Sequence, residues 1–418
     1  MKRKVLFTIF ALMAVCRTYA YDIAVENEDG VTIYYNFINK GRELCVTNPK
    51  VAYEHPIAPY TGIVNIPQSI YYEGHERKVT AIGFQAFAYS KVTSVLIPEG
   101  VTEIGKYAFI GSSLSSVSIP NSVTEIGFEA FGECENLSTV EIGNGLTEIP
   151  PYAFYKCLLL RSISIPENVT KIGEDAFKSC ILLNKAEFSS IESLFNINFI
   201  TERSNPLTYS EHLYINGEEI KDFVFPNDIE EIGNYIFSGF KAPSFLTIPS
   251  SVKKIGKGVF RGCSNITSVI IPEGVRGIGE YAFYGCKNLS YVSIPNSMMT
   301  TSRVNIGSYC FDGCENLNTI VSFIDNPQTT YESAFTDKTY RNATLYVPKG
   351  TTELYEKKYP WSNFAWIEEG APTNVDAQSY GSQNNVEYFS VDGKLLNRPR
   401  RGATIVKIGD KAIKVIMK

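Results

Sequence analysis

Short runs of alternating apolar and polar residues, each closed by a proline, recur along most of the chain. Val95-x-Ile97-Pro98, Val117-x-Ile119-Pro120, Ile163-x-Ile165-Pro166, Val269-x-Ile271-Pro272 and Val292-x-Ile294-Pro295 share this form. Period-two alternation of branched residues predicts short strands buried on one face, and the proline stops further pairing. A second phrase, Ile-Gly-x-x-Ala-Phe and its variants, begins at Ile82, Ile104, Ile126, Ile149 and Ile172, then at Ile232, Ile255, Ile278 and Ile306. Its Phe positions, 87 to 177 and 237 to 311, step by 22, 22, 23 and 23, then after a 60-residue interval by 23, 23 and 28. Such register over so many units defines a repeat. Each coil holds a strand, a turn, an apolar segment at Val-Thr-x-Ile-Gly and a short turn or helix around Ala-Phe.

A coil of this size cannot bury its own apolar edge, so neighbours must stack, with strands about 4.8 Å apart and Ile, Val and Phe in parallel ladders. Leu137, Val140 and Ile142 follow the spacing Leu-x-x-Leu-x-Leu, as do Leu289, Val292 and Ile294. Over residues 66–350 the units resemble the I-P-x-x-V-T-x-I-G-x-x-A-F-x-x-C units of BspA-like leucine-rich repeats of bacterial surface proteins. The resemblance implies a repeat solenoid, mainly β with short turns and helices: a right-handed leucine-rich-repeat coil of ~23-residue units with β caps.

Departures from the repeat suggest the organisation. Residues 1–20 read as a signal peptide, with basic Lys2, Arg3 and Lys4, an apolar run, and Thr18-Tyr19-Ala20 as the cleavage site. Cleavage there is favoured over lipid attachment at Cys16, because Val15 is bulky for the position before a lipidated cysteine. Residues 21–65, alternating at Ile33 to Phe37, are expected to form an N-terminal β cap. The solenoid then runs over 66–325 with an irregular, elongated coil at 189–223. Extra residues around Tyr71 and Met298 are expected to protrude as loops. Residues 326–370 should close the core with Trp361, Phe364 and Trp366, and 371–385 form a linker. The segment 386–418 reads as a basic β tail, with eight basic residues from Lys394 to Lys418 against Asp410. It resembles the C-terminal sorting domains that direct cargo of a Bacteroidetes-type export system to the cell surface. A small stabilising β appendage is the plainer alternative.

Composition narrows the function. At 44% hydrophobic and 13% aromatic, the chain has a core to bury and is not a disordered polymer. Losing Lys2, Arg3, Lys4 and Arg17 with the leader moves the formal charge from −5 to −9, which argues against nucleic acid as a partner. Beyond the leader no apolar run is long enough to span a bilayer. Cys134, Cys157, Cys180, Cys263, Cys286 and Cys314 each fall three residues after the repeat Phe, where other coils carry Ser90, Ser112 or Phe240. That exchange suits a buried thiol ladder better than disulfides, and Cys310-x-x-x-Cys314 lacks the partners of a zinc site. Three histidines, His55, His75 and His212, lie in the cap or the irregular segments, and no nucleophile, zinc or phosphate-binding motif accompanies them. Glu103, Glu125, Glu148 and Glu231 share one repeat position with Lys171, Lys254 and Arg276, which reads as a solvated mixed-charge face. No cofactor and no enzyme activity are expected.

A solenoid can instead bind along its outward strand positions without a pocket. These run from Ser94 to Glu187 in the first half and include Phe245, Thr247, Tyr291 and Ser293 in the second. Lys185, Glu187, Phe245 and Tyr291 are the partner-binding candidates, the aromatics because such side chains anchor interfaces; local cover for the sheet is the competing role for Phe245 and Tyr291. The family resemblance implies a secreted or outer-surface bacterial adhesion protein, monomeric, whose partners are proteins or glycoproteins of a host matrix or neighbouring cells. A glycan-binding or nutrient-capture protein is the alternative.

Overall fold

A computed structural model describes residues 21–49, 57–221, 225–226, 228–241, 245–299 and 304–370, and in the tail the strand backbones at 386–390, 395–396, 402–408 and 411–417. The candidate leader, His55 and the candidate linker lie outside the described residues. Over the described repeats the fold is a leucine-rich-repeat solenoid. The strand phrases stack in parallel, one per coil, into an eight-stranded sheet whose central members are Lys91–Leu96, Ser116–Ile119, Thr139–Ile142, Ser162–Ile165 and Lys185–Phe188. Register is kept in steps of one coil, Val140 lying beside Val117 and Ile163. The Val-Thr-x-Ile-Gly segments contribute two-residue strands on another side of the coil, such as Glu103–Ile104 beside Glu125–Ile126.

Between these strands run the inward ladders. Phe87, Phe109, Phe131, Phe154 and Phe177 stack with ring centroids 4.9 to 5.6 Å apart and planes within 11°. A second stack joins Phe237, Phe260, Phe283 and Phe311 and continues to Phe335. Ala334-Phe335 is thus a further rung, without the Ile five residues before the Phe that marks the others. Each ring is buried on both faces by its neighbours, so the ladder is one continuous core.

All eight cysteines among the described residues are free thiols. Six of them do more than fill space. Cys134, Cys157, Cys180, Cys263, Cys286 and Cys314 donate to the carbonyl of the preceding coil's repeat Phe at 3.0 to 3.2 Å, as Cys157 does to Phe131. Ser112 occupies the same place, 3.4 Å from Cys134 Sγ. Ser90 at this place donates to Phe87 O of its own coil at 2.8 Å, so Ser and Cys both serve there as small buried donors, whereas Phe240 fills the place with apolar bulk.

The irregular segment departs from a simple elongated coil. It contains two short helices, Ile191–Phe195 and Leu207–Ser210, and a hairpin of Leu213–Ile215 with Glu218–Glu219 across the Asn216-Gly217 turn. Leu213–Ile215 pairs with Lys185–Phe188, and the antiparallel strand Glu218–Glu219 ends the eight-stranded sheet. A separate six-stranded sheet begins at Phe245–Thr247 and ends at Trp366–Glu369. Stacking nevertheless crosses the break. Asn205, fully buried, donates to Tyr235 O at 2.7 Å and Ile236 O at 2.8 Å and accepts from Leu207 N at 2.9 Å.

The N-terminal segment forms antiparallel strands Ile23–Glu26, Thr32–Ile38 and Glu43–Val46, the last pairing in parallel with His75–Ile82. Tyr71 lies exposed on a hairpin closed at Glu73-Gly74. The insertion near Met298 differs from the protruding loop expected: the 3₁₀ turn Asn296–Met298 buries Met298 completely in the core. Residues 300–303 are outside the described set. At the C-terminal end Trp361 and Phe364 are buried as expected, but Trp366 is 60% exposed. Within Trp366-Ile367-Glu368-Glu369 the alternation turns Ile367 toward the core and leaves Trp366 outward. The tail strands form a four-stranded antiparallel sheet. No helix among the described residues is long and apolar enough to cross a membrane.

Candidate binding surface

The outward strand positions form columns, because parallel in-register pairing places equivalent residues one coil apart. In the eight-stranded sheet one column runs Ser94, Ser116, Thr139, Ser162, Lys185, and the next runs Ser118, Glu141, Ser164, Glu187, Tyr214. This half is polar except near its N-terminal end, where Ile63, level with Ser94, and Leu96 are exposed.

Lys185 and Glu187 meet each other. Lys185 Nζ lies 2.8 Å from Glu187 Oε2 and 4.9 Å from the Tyr214 ring centroid. Glu187 Oε1 accepts from Gly217 N at 2.7 Å. The Lys185 ammonium holds the Glu187 carboxyl below the usual carboxylate range, with the Gly217 N–H acting in the same sense. Both side chains therefore hold the hairpin against the sheet as well as facing outward.

Phe245 and Tyr291 belong to the other sheet, so the structure gathers the four candidates into two groups. There one column is Phe245, Ser268, Tyr291, Thr319, Thr344, Trp366, and the next is Thr247, Ile270, Ser293, Val321, Tyr346, Glu368. For Phe245 the structure fixes only the backbone place, level with Ser268. Tyr291 is half-buried. Ser293 is not an outward contact residue: it is 1% exposed, and its hydroxyl accepts from Ile271 N at 3.3 Å. Trp366 stands at the end of Tyr291's column, with Tyr346 diagonally beside it. Sequence reading assigned Trp366 to the closing core and not to this face, because the segment carries no Val-x-Ile-Pro phrase to set its register; the single signal was Ile367 flanked by polar and aromatic residues.

The charged repeat position behaves as a solvated face. Lys171 pairs with Glu148 at 2.7 Å and Lys254 with Glu231 at 2.6 Å, each across one coil step, whereas Glu125 lies beside Glu103. His212 Nδ1 lies 2.5 Å from Glu219 Oε1 in the hairpin. No group of three or more His, Cys, Asp or Glu that could hold a metal occurs among the described residues. A cavity of about 490 Å³ opens between Lys253, Glu273, Arg276, Ser297 and Met299, on the coil edge beyond the strands.

Residues 80–205, 208–340 and 299–368 match the family described as BspA type leucine rich repeat region, in six copies. Among solved structures, a leucine rich cell surface protein from Faecalibacterium prausnitzii shares 23% identity over 72% of this chain and 95% of its own, with a TM-score of 0.37. A leucine-rich repeat protein from Bacteroides ovatus shares 22% over 79% of this chain and 100% of its own, with a TM-score of 0.32. The pneumococcal vaccine antigen PcpA shares 16% over 84% and 99%, with a TM-score of 0.42. No curated protein matches the chain.

Proposed function

Because the chain belongs to the BspA-type leucine-rich-repeat family, we propose that it is a non-enzymatic binding protein of the bacterial cell surface that grips host-matrix or other cell-surface proteins along its outward strand columns. The observation that carries this reading is the aromatic end of the second sheet, where Trp366 is largely open to solvent in the column of Tyr291 and next to that of Tyr346. Large aromatic side chains held by a rigid sheet lose little freedom on binding and supply the dominant anchors of protein interfaces. Lys185 and Glu187 serve as a second, polar contact region. The acidic charge keeps nucleic acid away, the leader and basic tail carry the chain to the outer surface, and it acts as a monomer.

An alanine scan over Trp366, Tyr291, Tyr346, Lys185 and Glu187, against immobilised fibrous matrix proteins, tests the reading. Trp366→Ala should weaken binding by about tenfold or more while leaving the melting temperature within about 2 °C. Unchanged affinity across both sheets moves the site off the strand face. An exposed Trp beside a Tyr also suits the flat face of a sugar ring, and this favours glycan capture as the second reading. A glycan array showing binding lost in Trp366→Ala, with no matrix-protein binding, decides for it.

A further inference from the structure

The second sheet ends on an open strand. Trp366–Glu369 is the last of its six strands and pairs only with Thr344–Val347. Gly370 N donates to Val347 O at 2.8 Å, so by alternation Trp366 and Glu368 turn their backbone groups toward that neighbour, while Ile367 and Glu369 present N–H and C=O on the other side. No strand takes them among the described residues. Such an edge calls for a further strand, because an extended backbone matches its row of donors and acceptors. Beside it a cavity of about 340 Å³ lies between Glu356, Ser362, Trp366 and Glu368, and no basic side chain lines it. Of the three lysines in residues 348–370, Lys357 pairs with Glu353, and Lys349 and Lys358 stay outside the cavity. Over residues 326–370 acidic side chains outnumber basic ones by only six to five, so the acids are gathered at the edge and not simply abundant.

The chain itself supplies a strand of the right charge. Residues 21–370 carry 40 acidic and 27 basic side chains, a formal −13, whereas residues 371–418 carry four acidic and eight basic, a formal +4. That basic segment begins directly at the acidic edge. Fifteen residues, 371–385, separate Gly370 from the first tail strand, Val386–Ser390, and they can span up to ~50 Å. A tether of that length keeps the tail beside the edge at an effective concentration on the order of millimolar, which a separate basic segment reaches only in large excess. The tail sheet has an outer strand, Lys411–Met417, paired on one side by Gly402–Ile408 and with no strand on the other among the described residues. It contains Lys411 and Lys414 and is followed by Lys418; the opposite outer strand, Leu395–Leu396, has two residues. A second copy of the solenoid edge is a poor occupant, since it would set Glu368 and Glu369 against the same two residues.

We propose that the tail folds back on the solenoid that bears it, Lys411–Met417 adding to Trp366–Glu369 as a seventh strand and the basic charge of the tail lying against Glu356, Glu368 and Glu369. Docked in this way, the tail closes an edge that would otherwise template pairing with other chains. The contact does not rest on the binding role proposed for the outward columns.

Hydrogen exchange read at single amides of the full chain, in low salt, tests the contact. The amides of Ile367 and Glu369 should exchange about tenfold or more slowly in the parent than in a variant with Lys411→Glu and Lys414→Glu. Their protection should also fall with Glu356→Gln, Glu368→Gln and Glu369→Gln combined, and in about 1 M salt. Should the lysine substitutions disturb the tail sheet itself, the glutamine variant makes the same comparison with the tail sequence untouched. Zero-length carbodiimide coupling should join Lys411, Lys414 or Lys418 to Glu356, Glu368 or Glu369 within one chain, in a yield independent of protein concentration. The proposal is overturned if both amides exchange in the parent at the rate of an unpaired strand, if both variants leave their protection unchanged, or if coupling joins these residues only between chains. Neither readout involves a matrix protein, so this contact and the strand-face reading can each fail alone.

Discussion

Replacing Gly127 by alanine tests whether the coils are spaced by backbone contact at the Ile-Gly position. A Cβ there would sit 2.3 Å from Lys106 N and 2.6 Å from the Gly105 carbonyl carbon, both backbone atoms of the preceding coil. Relief requires the coils to part by about 1 Å, since ordinary contacts are no closer than ~3.4 Å. Gly127 N donates to Ile104 O at 2.7 Å and Tyr107 N to Phe128 O at 3.0 Å, and both bonds would stretch past useful length. Losing two such bonds at roughly 1 kcal/mol each, with 1–3 kcal/mol of overpacking, is offset by about 0.4–1 kcal/mol from the stiffer unfolded chain. The expected net destabilisation is about 2–4 kcal/mol. Gly233 holds the same place in the first regular coil after the irregular segment, where its Cβ would meet only the Ile236 side chain, at 3.2 Å and beyond. Gly233→Ala should therefore stay within about 0.5 kcal/mol of neutral. Guanidinium unfolding followed by circular dichroism measures both. Equal shifts in the two variants, or a loss under 1 kcal/mol in Gly127→Ala, would refute backbone spacing as the reason for glycine.

Cys157→Ala should cost about 1–2 kcal/mol, through lost packing and a Phe131 carbonyl left without its donor, and the cost should be the same with and without reductant. Burial pushes the thiols of Cys134 and Cys180 up to about 12. The unfolded chain ionises its thiols nearer pH 9, so the stability they confer is complete below that and is lost as pH rises toward 12; alkaline titration of the unfolding midpoint checks this, and a flat profile from pH 9 to 12 contradicts it. Asn205→Ala strands two buried carbonyls and an N–H between the sheets; a loss of roughly 3 kcal/mol and a broadened or split denaturation curve are expected, and a loss under 1 kcal/mol would show that the irregular coil is held elsewhere. Glu125→Lys replaces the Glu103–Glu125 repulsion with an opposite-charge pair and should gain about 0.3–0.5 kcal/mol at low salt, vanishing near 1 M salt.

The inward half of each coil was legible because packing constrains it. A ring that must stack on the next ring recurs as Phe at fixed spacing, and a turn that must let backbones touch recurs as Gly; both leave a period that can be counted. The thiol's place was legible too, but not its bond, which appears only in the distance from Cys157 Sγ to Phe131 O. The sheet break was hidden, because Asn205 carries three hydrogen bonds that no hydrophobic pattern reports. Trp366 was misplaced for a similar reason, since a Trp after a closing segment reads as core until the register with Thr344 sets which way it faces.

Outward residues escape such reading because no neighbour dictates them, yet the repeat supplies its own control. At the two-residue turn after the repeat Cys the array is polar in four coils and aliphatic in two, at Leu158-Leu159 and Ile181-Leu182, so one backbone turn accepts either chemistry. The same comparison applies to the strand columns, which are mostly hydroxyl-bearing from Ser94 to Ser164 and carry Tyr291, Tyr346 and Trp366 among Thr319 and Thr344 in the second sheet. The irregular coil divides these two chemistries while Asn205 keeps the stack continuous across it. A break that interrupts the outward sheet but not the inward contacts lets the two surfaces diverge in sequence without loss of the fold that carries them both.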